Sequence, residues 1–266
     1  TLELKVIENK KEINKKNMLL EKKNYRIASD LNMAKKVHNK ITEFIIPEMK
    51  NYNIYFDNRA VRGIGGDFID CIQMRNGKYG IVFVDIAGHG LSASLIVRAI
   101  KMAVNTHFKE MESPSEALYL MNELINDTFI EGITVSMAYM VIDDINGEIM
   151  IASGAQKEML KIGEKVETIK EKGIILGAVG NDIIKDNSKI AYRDFCVKLN
   201  SGEKLFLYTD GLVEIENHGR EYLVDMLDGF KEDSGLSLAK KIHEYIENAV
   251  ARDERDDVSY MIIEKK

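Results

Sequence analysis

The segment KYGIVFVDIAGHG, residues 78–90, determines the fold of this chain more than any other stretch. Residues 78–86 form a nearly unbroken apolar run, which is typical of a buried strand. The run carries Asp85 near its end, and Gly88-His89-Gly90 then turns the chain into residues 91–108, which have helical spacing. A carboxylate at a strand end can face a crevice, where backbone carbonyls add further oxygen ligands. The segment thus predicts a strand, an acidic corner and a helix.

Three other short motifs place an aspartate at the edge of an apolar run. Gly65-Gly66-Asp67 precedes Phe68-Ile69, Thr209-Asp210-Gly211 follows a run that ends at Tyr208, and Asp256-Asp257-Val258-Ser259 opens the last predicted strand. Each motif alone has an ordinary explanation, because Asp-Gly is a common turn. All four together, at the boundaries of predicted strands, favour one shared site over four unrelated turns.

Strand ends that converge on one spot would gather carboxylate oxygens with almost no nitrogen or sulfur among them. Sites built from oxygen alone suit Mg²⁺ or Mn²⁺ and not zinc or copper. Two such ions close together form a hydrolytic phosphate site. The acidic motifs therefore indicate a metal-dependent enzyme that hydrolyses phosphate esters.

From Tyr52 onward the chain mixes helix and strand signals. Ser113-Pro114-Ser115-Glu116 combines an N-cap serine, a proline at the first helical position and a glutamate at the third, and predicts a helix to about residue 129. Asn146-Gly147 between two apolar runs predicts a hairpin. Many antiparallel strands with few, paired helices favour an α+β sandwich over a doubly wound sheet. Strands are expected at 135–142, 148–153, 158–162, 166–170, 190–199, 203–209 and 257–263, and helices near 220–231 and 236–250.

Residues 1–46 differ from the rest, since residues 5–46 contain no glycine or proline and are rich in lysine, glutamate and asparagine. Apolar residues recur at every seventh position, as in the seam of a coiled coil, and Pro47 is expected to end the helix. We predict a helical linker or dimerisation segment at 1–46 and a second domain at 47–266. A single amphipathic helix lying on that domain is the alternative. The a positions are Ile13, Leu20, Ile27, Ala34 and Ile41, and the d positions are Asn17, Asn24, Leu31, His38 and Ile45.

Charge and cysteine content exclude several classes of protein. The chain of 266 residues has a net charge of −6, so the basic surface of a nucleic-acid binder is absent and we expect no nucleic-acid partner. Cys71 and Cys196 lie in apolar runs and are expected to be reduced thiols of a cytoplasmic protein. No run reaches the length of a membrane span. Because the chain begins at Thr1 within a helical pattern, it is compatible with an upstream sensor domain in a larger, even membrane-anchored, protein.

In their order along the chain, the four acidic motifs resemble those of the bacterial SpoIIE/RsbU-like serine/threonine phosphatases. These belong to the metal-dependent protein phosphatase superfamily, also called PPM or 2C-type. The resemblance covers about residues 52–264. It extends upstream to a helical segment that often precedes the catalytic domain in this family, with Leu31, Met33-Ala34, Val37 and Pro47.

The resemblance implies an α-β-β-α sandwich of two antiparallel sheets with two Mn²⁺ or Mg²⁺ ions at one edge. Carried over by position, Asp85 would bridge both ions. Asp67 and the backbone carbonyl of Ile86 would complete one ion site, and Asp210 and Asp256 would hold the other ion. The four aspartates would be catalytic through a metal-bridging water that attacks phosphorus in line.

Three residues near these positions keep two interpretations each. Asp257 is the alternative to Asp256, because successive strand side chains point to opposite faces and only one of the pair is expected to reach the metal. Glu214 either supports the metal ligands or is an ordinary surface glutamate. His89 is either a proton shuttle or a structural residue of its turn.

The chain departs from the family pattern at three places. Ile69 stands where an aromatic residue is frequent, and Ser259 stands where threonine is usual, which retains the hydroxyl. The segment 152–157, ASGAQK, replaces a loop that contains asparagine and proline. None of these changes removes an expected metal ligand, and the altered loop affects substrate contacts more than chemistry.

The resemblance further implies a phosphoserine/phosphothreonine protein phosphatase in bacterial signalling. Its substrate would be a phosphorylated regulatory protein such as an anti-sigma-factor antagonist. The helix at 1–46 would form a homodimer and couple an upstream sensor to the metal site, because the Asn-weakened half of its seam could switch. A catalytically silent scaffold and a metal hydrolase of small phosphoesters are the alternatives. A resting state with one metal position unfilled also fits the sequence.

Overall fold

The computed structural model describes residues 2–43, 45–60, 64–88, 90–128, 132–170, 173–215, 219–250 and 257–266. The chain divides into two compact units, one up to Ile41 and one from Thr42 onward. In these ranges no helix is long and apolar enough to cross a membrane.

The first unit is one long helix, α1, Leu2–Thr42. The helix ends before Pro47, as predicted, since no glycine or proline interrupts it earlier. Three residues of the predicted a positions, Ile13, Leu20 and Ile27, are 56%, 55% and 57% exposed. These apolar residues in the first half of the seam are therefore uncovered within a single chain, whereas His38 farther along it is buried, and the homodimer stays a prediction.

The second unit holds two antiparallel sheets of five strands each, counted over its described residues. One sheet has the order β1-β10-β9-β6-β7, and the other has the order β2-β3-β4-β5-β8. The strands are β1 (Tyr52–Arg59), β2 (Phe68–Gln73), β3 (Tyr79–Ile86), β4 (Val135–Asp143), β5 (Glu148–Gly154), β6 (Met159–Ile162), β7 (Val166–Ile169), β8 (Phe195–Val197), β9 (Lys204–Tyr208) and β10 (Val258–Lys265). The helices are α2 (Leu91–His107), α3 (Pro114–Thr128), α4 (Asn181–Asp186), α5 (Asp210–Glu214), α6 (Gly219–Gly229) and α7 (Gly235–Val250).

Strand β3 shows why the sandwich has four layers. Val82 and Val84 pack under α2 and α3, whereas Ile81 and Phe83 face the second sheet. Strand side chains alternate between faces, so a strand covered on both sides reads as an unbroken apolar run. A third apolar cluster lies between the other sheet and helices α6 and α7. The predicted α-β-β-α sandwich is confirmed.

Local sequence signals predict the β4–β5 hairpin and the N-terminal cap of α3 correctly. The backbone N–H of Gly147 donates to the Asp143 carbonyl at 2.8 Å, and Gly147 has φ +71°, so the Asn-Gly turn joins β4 to β5. The N–H of Glu116 donates to Ser113 Oγ at 3.3 Å and caps α3. The strand expected at 190–199 is shorter, because the N–H of Ile190 turns back to the Asn187 carbonyl.

Asp144 fastens the β4–β5 hairpin to the segment that leads into β1. Its carboxylate accepts the backbone N–H of Asn51 at 2.8 Å and that of Lys50 at 2.5 Å. We expect Asp144→Ala to lower the free energy of unfolding by about 1–3 kcal/mol, since it leaves these donors without their acceptor. Urea denaturation measures the change. Ile145→Ala is the matched control, because Ile145 is 88% exposed and its loss should stay within about 0.5 kcal/mol. Equal stability of the two variants would contradict the role of Asp144.

Candidate metal centre

The acidic motifs meet where the two sheets come together. Asp67 directly precedes β2, and Asp85 lies in β3, so both belong to one sheet. Asp210 begins α5 just after β9, and Asp257 directly precedes β10, so both belong to the other sheet. The ends of four strands from two sheets therefore bring four aspartates to one edge. Asp67, Asp85 and Asp210 are predicted ligands, and Asp257 is the predicted alternative to Asp256.

These four aspartates line one cavity of about 290 Å³. Asp67 and Asp257 are buried, whereas Asp85 and Asp210 are partly exposed. A ligand that enters the cavity from solvent can therefore reach the carboxylates of both sheets. The described residues of the lining are Asp67, Asp85, Ile86, Ala87, Gly88, Ser136, Ala155, Lys157, Ile175, Asp210 and Asp257.

The hydroxyl of Thr209 connects the two sheets beneath the cavity. Thr209 Oγ1 accepts the backbone N–H of Ser259 at 3.0 Å and donates to Asp67 Oδ2 at 3.0 Å. Thr209 is fully buried, so this bond is shielded from water. No role for Thr209 is predicted from the sequence, because its bond to Asp67 joins strands that lie far apart along the chain.

Close backbone packing fixes Asp257 beside the Gly65-Gly66 turn. The backbone N–H of Gly66 donates to Asp257 Oδ2 at 2.8 Å. A Cβ atom at Gly66 would lie 2.8 Å from the carbonyl oxygen of Ile86, and one at Gly211 would lie 2.0 Å from the carbonyl oxygen of Asp257. Glycine at these two positions is therefore what lets the turn, the Ile86 carbonyl and the last strand approach one another.

The surroundings of Asp67 disfavour the ionised form of its carboxyl group. Burial raises the pKa of Asp67 well above its usual range, and the carboxylates of Asp85 and Asp257 raise it further. The hydroxyls of Thr209 and Ser259 act in the opposite direction. Of the two, only Thr209 makes a hydrogen bond of good geometry, since Ser259 Oγ has no such partner within the described ranges. A cation in the cavity would favour the ionised form.

The donor set fits a hard divalent cation. Carboxylates and the nearby Ile86 carbonyl are oxygen donors, which Mg²⁺ and Mn²⁺ prefer. As the side chains stand here, no three carboxylate, imidazole or thiol groups of the described residues are close enough to hold one ion by themselves. Backbone oxygen and water would therefore complete the coordination, as Mg²⁺ commonly requires.

Lys157 is a cavity residue to which the sequence assigned no role of its own. Its Nζ lies 3.4 Å from Asp210 Oδ2, so an ammonium stands beside one of the expected metal ligands. Lys157 belongs to the altered segment 152–157, whose departure from the family pattern was the only signal that it could have a special position.

The remaining predicted positions are Asp256, His89 and Glu214. Asp256 and His89 lie outside the described residues. Glu214 is exposed in α5 and is not part of the described lining of the cavity. Ser136, which the sequence did not single out, lines the cavity and donates from Oγ to the carbonyl of Asp85 at 3.2 Å.

Comparisons with known proteins agree with this geometry. The family model described as "Stage II sporulation protein E (SpoIIE)" matches residues 75–266, more than half of the chain. The chain is also similar to the phosphoserine phosphatase RsbU of Bacillus subtilis (strain 168), with 20% identity over 247 residues. That similarity covers 90% of this chain and 71% of RsbU. The resemblance stated from the motifs is confirmed.

Two solved structures share the fold. The SiaA-PP2C domain of Pseudomonas aeruginosa has a TM-score of 0.72 and 19% identity, over 91% of this chain and 97% of that domain. RsbX, solved in complex with magnesium, has a TM-score of 0.58 and 15% identity, over 84% of this chain and 99% of RsbX. At such identities the likeness establishes the fold, which is that of PP2C-type phosphatase domains.

The raised pKa of Asp67 predicts how the metal-free chain depends on pH. Above its folded-state pKa, ionised Asp67 destabilises the fold, and the penalty disappears as pH falls toward the unfolded-state pKa of about 4. We expect Asp67→Asn to raise the melting temperature in EDTA at pH 7.5 by a few degrees, at about 2–4 °C per kcal/mol. The gain should shrink as pH is lowered.

Thermal unfolding between pH 4.5 and 8 measures this effect. Glu214→Gln serves as the control, because it removes an exposed carboxylate of α5. If Asp67→Asn melts at or below the melting temperature of the unsubstituted chain at pH 7.5, there is no electrostatic penalty at Asp67.

Proposed function

Because the chain belongs to the SpoIIE family of PPM-type phosphatases, we propose that it removes phosphate from phosphoserine or phosphothreonine of a regulatory protein in bacterial signalling. The observation that carries this proposal is the gathering of Asp67, Asp85, Asp210 and Asp257 around one cavity at the edge of both sheets. The described lining contains no cysteine, which favours direct attack of water on phosphorus over a cysteinyl-phosphate intermediate.

In the proposed site, divalent ions would supply Lewis acidity and activate water for attack on phosphorus. Asp85 would contribute to both ion positions, Asp67 and the Ile86 carbonyl to one, and Asp210 with Asp256 to the other. Asp257 is the alternative to Asp256. The ions would be Mn²⁺ or Mg²⁺, and RsbX, which shares the fold, was solved in complex with magnesium.

Several groups of the chain would prepare this site without touching the substrate. The Thr209 hydroxyl orients the Asp67 carboxylate and favours its ionised form, which is the form that binds a cation. The N–H of Gly66 holds Asp257, and the absence of a side chain at Gly66 keeps the Ile86 carbonyl within reach. These groups are buried, so little reorganisation is needed when an ion enters.

The proposed substrate is a phosphorylated protein, with an anti-sigma-factor antagonist as the expected type. Two facts support a phosphate carried by a protein. The related RsbU is a phosphoserine phosphatase, and Asp85 and Asp210 are partly exposed, so a phosphorylated side chain can reach them from solvent. We place this activity in the bacterial cytoplasm.

We also propose that α1 forms a homodimer and couples an upstream sensor to the metal centre. Its exposed a positions Ile13, Leu20 and Ile27 support pairing, because apolar residues at this spacing seek a partner helix. Asn17 and Asn24 at the d positions would keep the pairing weak enough to change with a signal.

The central test of the function is Asp85→Asn. We expect Mn²⁺-dependent release of phosphate from a phosphoserine peptide and from p-nitrophenyl phosphate, with at least about a 100-fold loss in the variant. Glu214→Gln should keep most of the activity. Metal uptake without turnover would instead favour a silent scaffold, and preference for a nucleotide over the peptide would favour a hydrolase of small phosphoesters.

A matched pair of variants in the same experiment separates the two positions proposed for the last ligand. Loss of a metal ligand weakens Mn²⁺ binding measured by calorimetry, whereas loss of the Gly66 anchor lowers the melting temperature of the metal-free chain. We expect Asp256→Asn to show the first effect and Asp257→Asn the second. Weaker Mn²⁺ binding only in Asp257→Asn would move the ligand to Asp257.

Leucine at Asn17 and Asn24 tests the role of α1. The double substitution fills the polar d positions of the seam, so we expect a larger dimer fraction by sedimentation equilibrium and a changed phosphatase rate. Lys15→Leu with Lys22→Leu is the matched control, because it adds the same side chains at the same spacing outside the seam. If the Asn17 and Asn24 variant keeps both its oligomeric state and its rate, the coupling proposal fails.

A further inference from the structure

Lys157 lies in the connection that crosses from one sheet to the other. Strand β5 ends at Gly154, β6 begins at Met159, and the segment between them passes the mouth of the cavity. From there Lys157 Nζ stands 3.4 Å from Asp210 Oδ2. Its side chain is 43% exposed, so the ammonium is in contact with both the cavity and solvent.

Hydrogen bonds of the buried Gln156 side chain hold the backbone of this connection in place. Gln156 is buried, and its Nε2 donates toward the carbonyls of Phe83 and Ser136, each at 3.4 Å. The N–H of Lys157 donates to Gln156 Oε1 at 3.3 Å. Ala155 adopts a left-handed conformation with φ +57°, which is costly for alanine and persists only where the surroundings enforce it. The position of Lys157 at the cavity is thus built into the loop.

The positive charge of Lys157 distinguishes it from the other described residues of the cavity lining. The described lining carries the carboxylates of Asp67, Asp85, Asp210 and Asp257 and, as its single cationic side chain, Lys157. Divalent ions would offset the carboxylates. Within this described lining, the positive charge that the chain itself can offer to a phosphate dianion comes from Lys157.

We propose that Lys157 binds the phosphoryl group of the substrate and that it competes with a metal ion for Asp210. This inference rests on the proposed function and extends it to a residue of the altered loop. In the metal-free chain the ion pair with Asp210 keeps the ammonium at the cavity. With Asp210 engaged as a metal ligand, the ammonium of Lys157 would be available to donate hydrogen bonds to phosphoryl oxygens.

The test compares Lys157→Met with Lys161→Met. Lys161 lies on β6 and pairs with Glu203 at 2.8 Å, so its variant removes a charge from the same region but not from the cavity lining. Calorimetry measures Mn²⁺ binding to the metal-free chains and, separately, binding of inorganic phosphate to Mg²⁺-saturated chains. We expect Lys157→Met to bind phosphate about tenfold more weakly, since it loses one charge-assisted hydrogen bond. It should bind Mn²⁺ as tightly as the unsubstituted chain or more tightly.

Lys157→Arg keeps the charge and should recover most of the phosphate affinity, which separates a charge effect from a packing effect. The proposal would be overturned if Lys157→Met bound phosphate within twofold of both the unsubstituted chain and Lys161→Met. That result would leave the phosphatase function intact. Weaker Mn²⁺ binding by Lys157→Met would also overturn it, because the ammonium would then support the metal site and not compete for Asp210. An unsubstituted chain that takes up no Mn²⁺ would overturn both the metal centre and the role of Lys157.

Discussion

Repulsion among carboxylates held at one edge of the sandwich is the constraint on which the rest of the site depends. Burial raises the pKa of Asp67, and the carboxylates of Asp85 and Asp257 raise it further, so the fold opposes the charge of Asp67. Hydrogen bonds from neutral groups keep the carboxylates in place. The Thr209 hydroxyl donates to Asp67, and the Gly66 N–H donates to Asp257. The two sheets thus form a rigid frame around a centre that favours cations, and such preorganisation is what electrostatic catalysis needs.

Much of this frame can be predicted from the sequence because its signals are local. The apolar run that ends at Asp85 requires a strand covered on both faces, and Asn146-Gly147 requires a tight turn. The acidic motifs could be grouped because each marks a strand end. The bond from Thr209 to Asp67 could not be predicted, since it joins residues far apart in the chain whose distance is set by packing of the sheets. The same holds for the ion pair of Lys157 with Asp210.

The segment that joins β5 to β6 is anchored to the sheet by Gln156. Gln156 enters the interior and binds strand carbonyls of Phe83 and Ser136, so the loop keeps a defined path across the sheet edge. Its next residue can then carry an ammonium to the cavity. The four-layer sandwich around this loop is shared with SiaA-PP2C.

The close packing around Gly211 limits how the sequence can vary at this position. A Cβ atom there would stand 2.0 Å from the backbone oxygen of Asp257, and backbone cannot rotate away as a flexible side chain can. Every amino-acid substitution at this position adds at least that atom. Any replacement of Gly211 therefore requires the backbone at Asp257 to shift, so this position and the start of the last strand are expected to vary together.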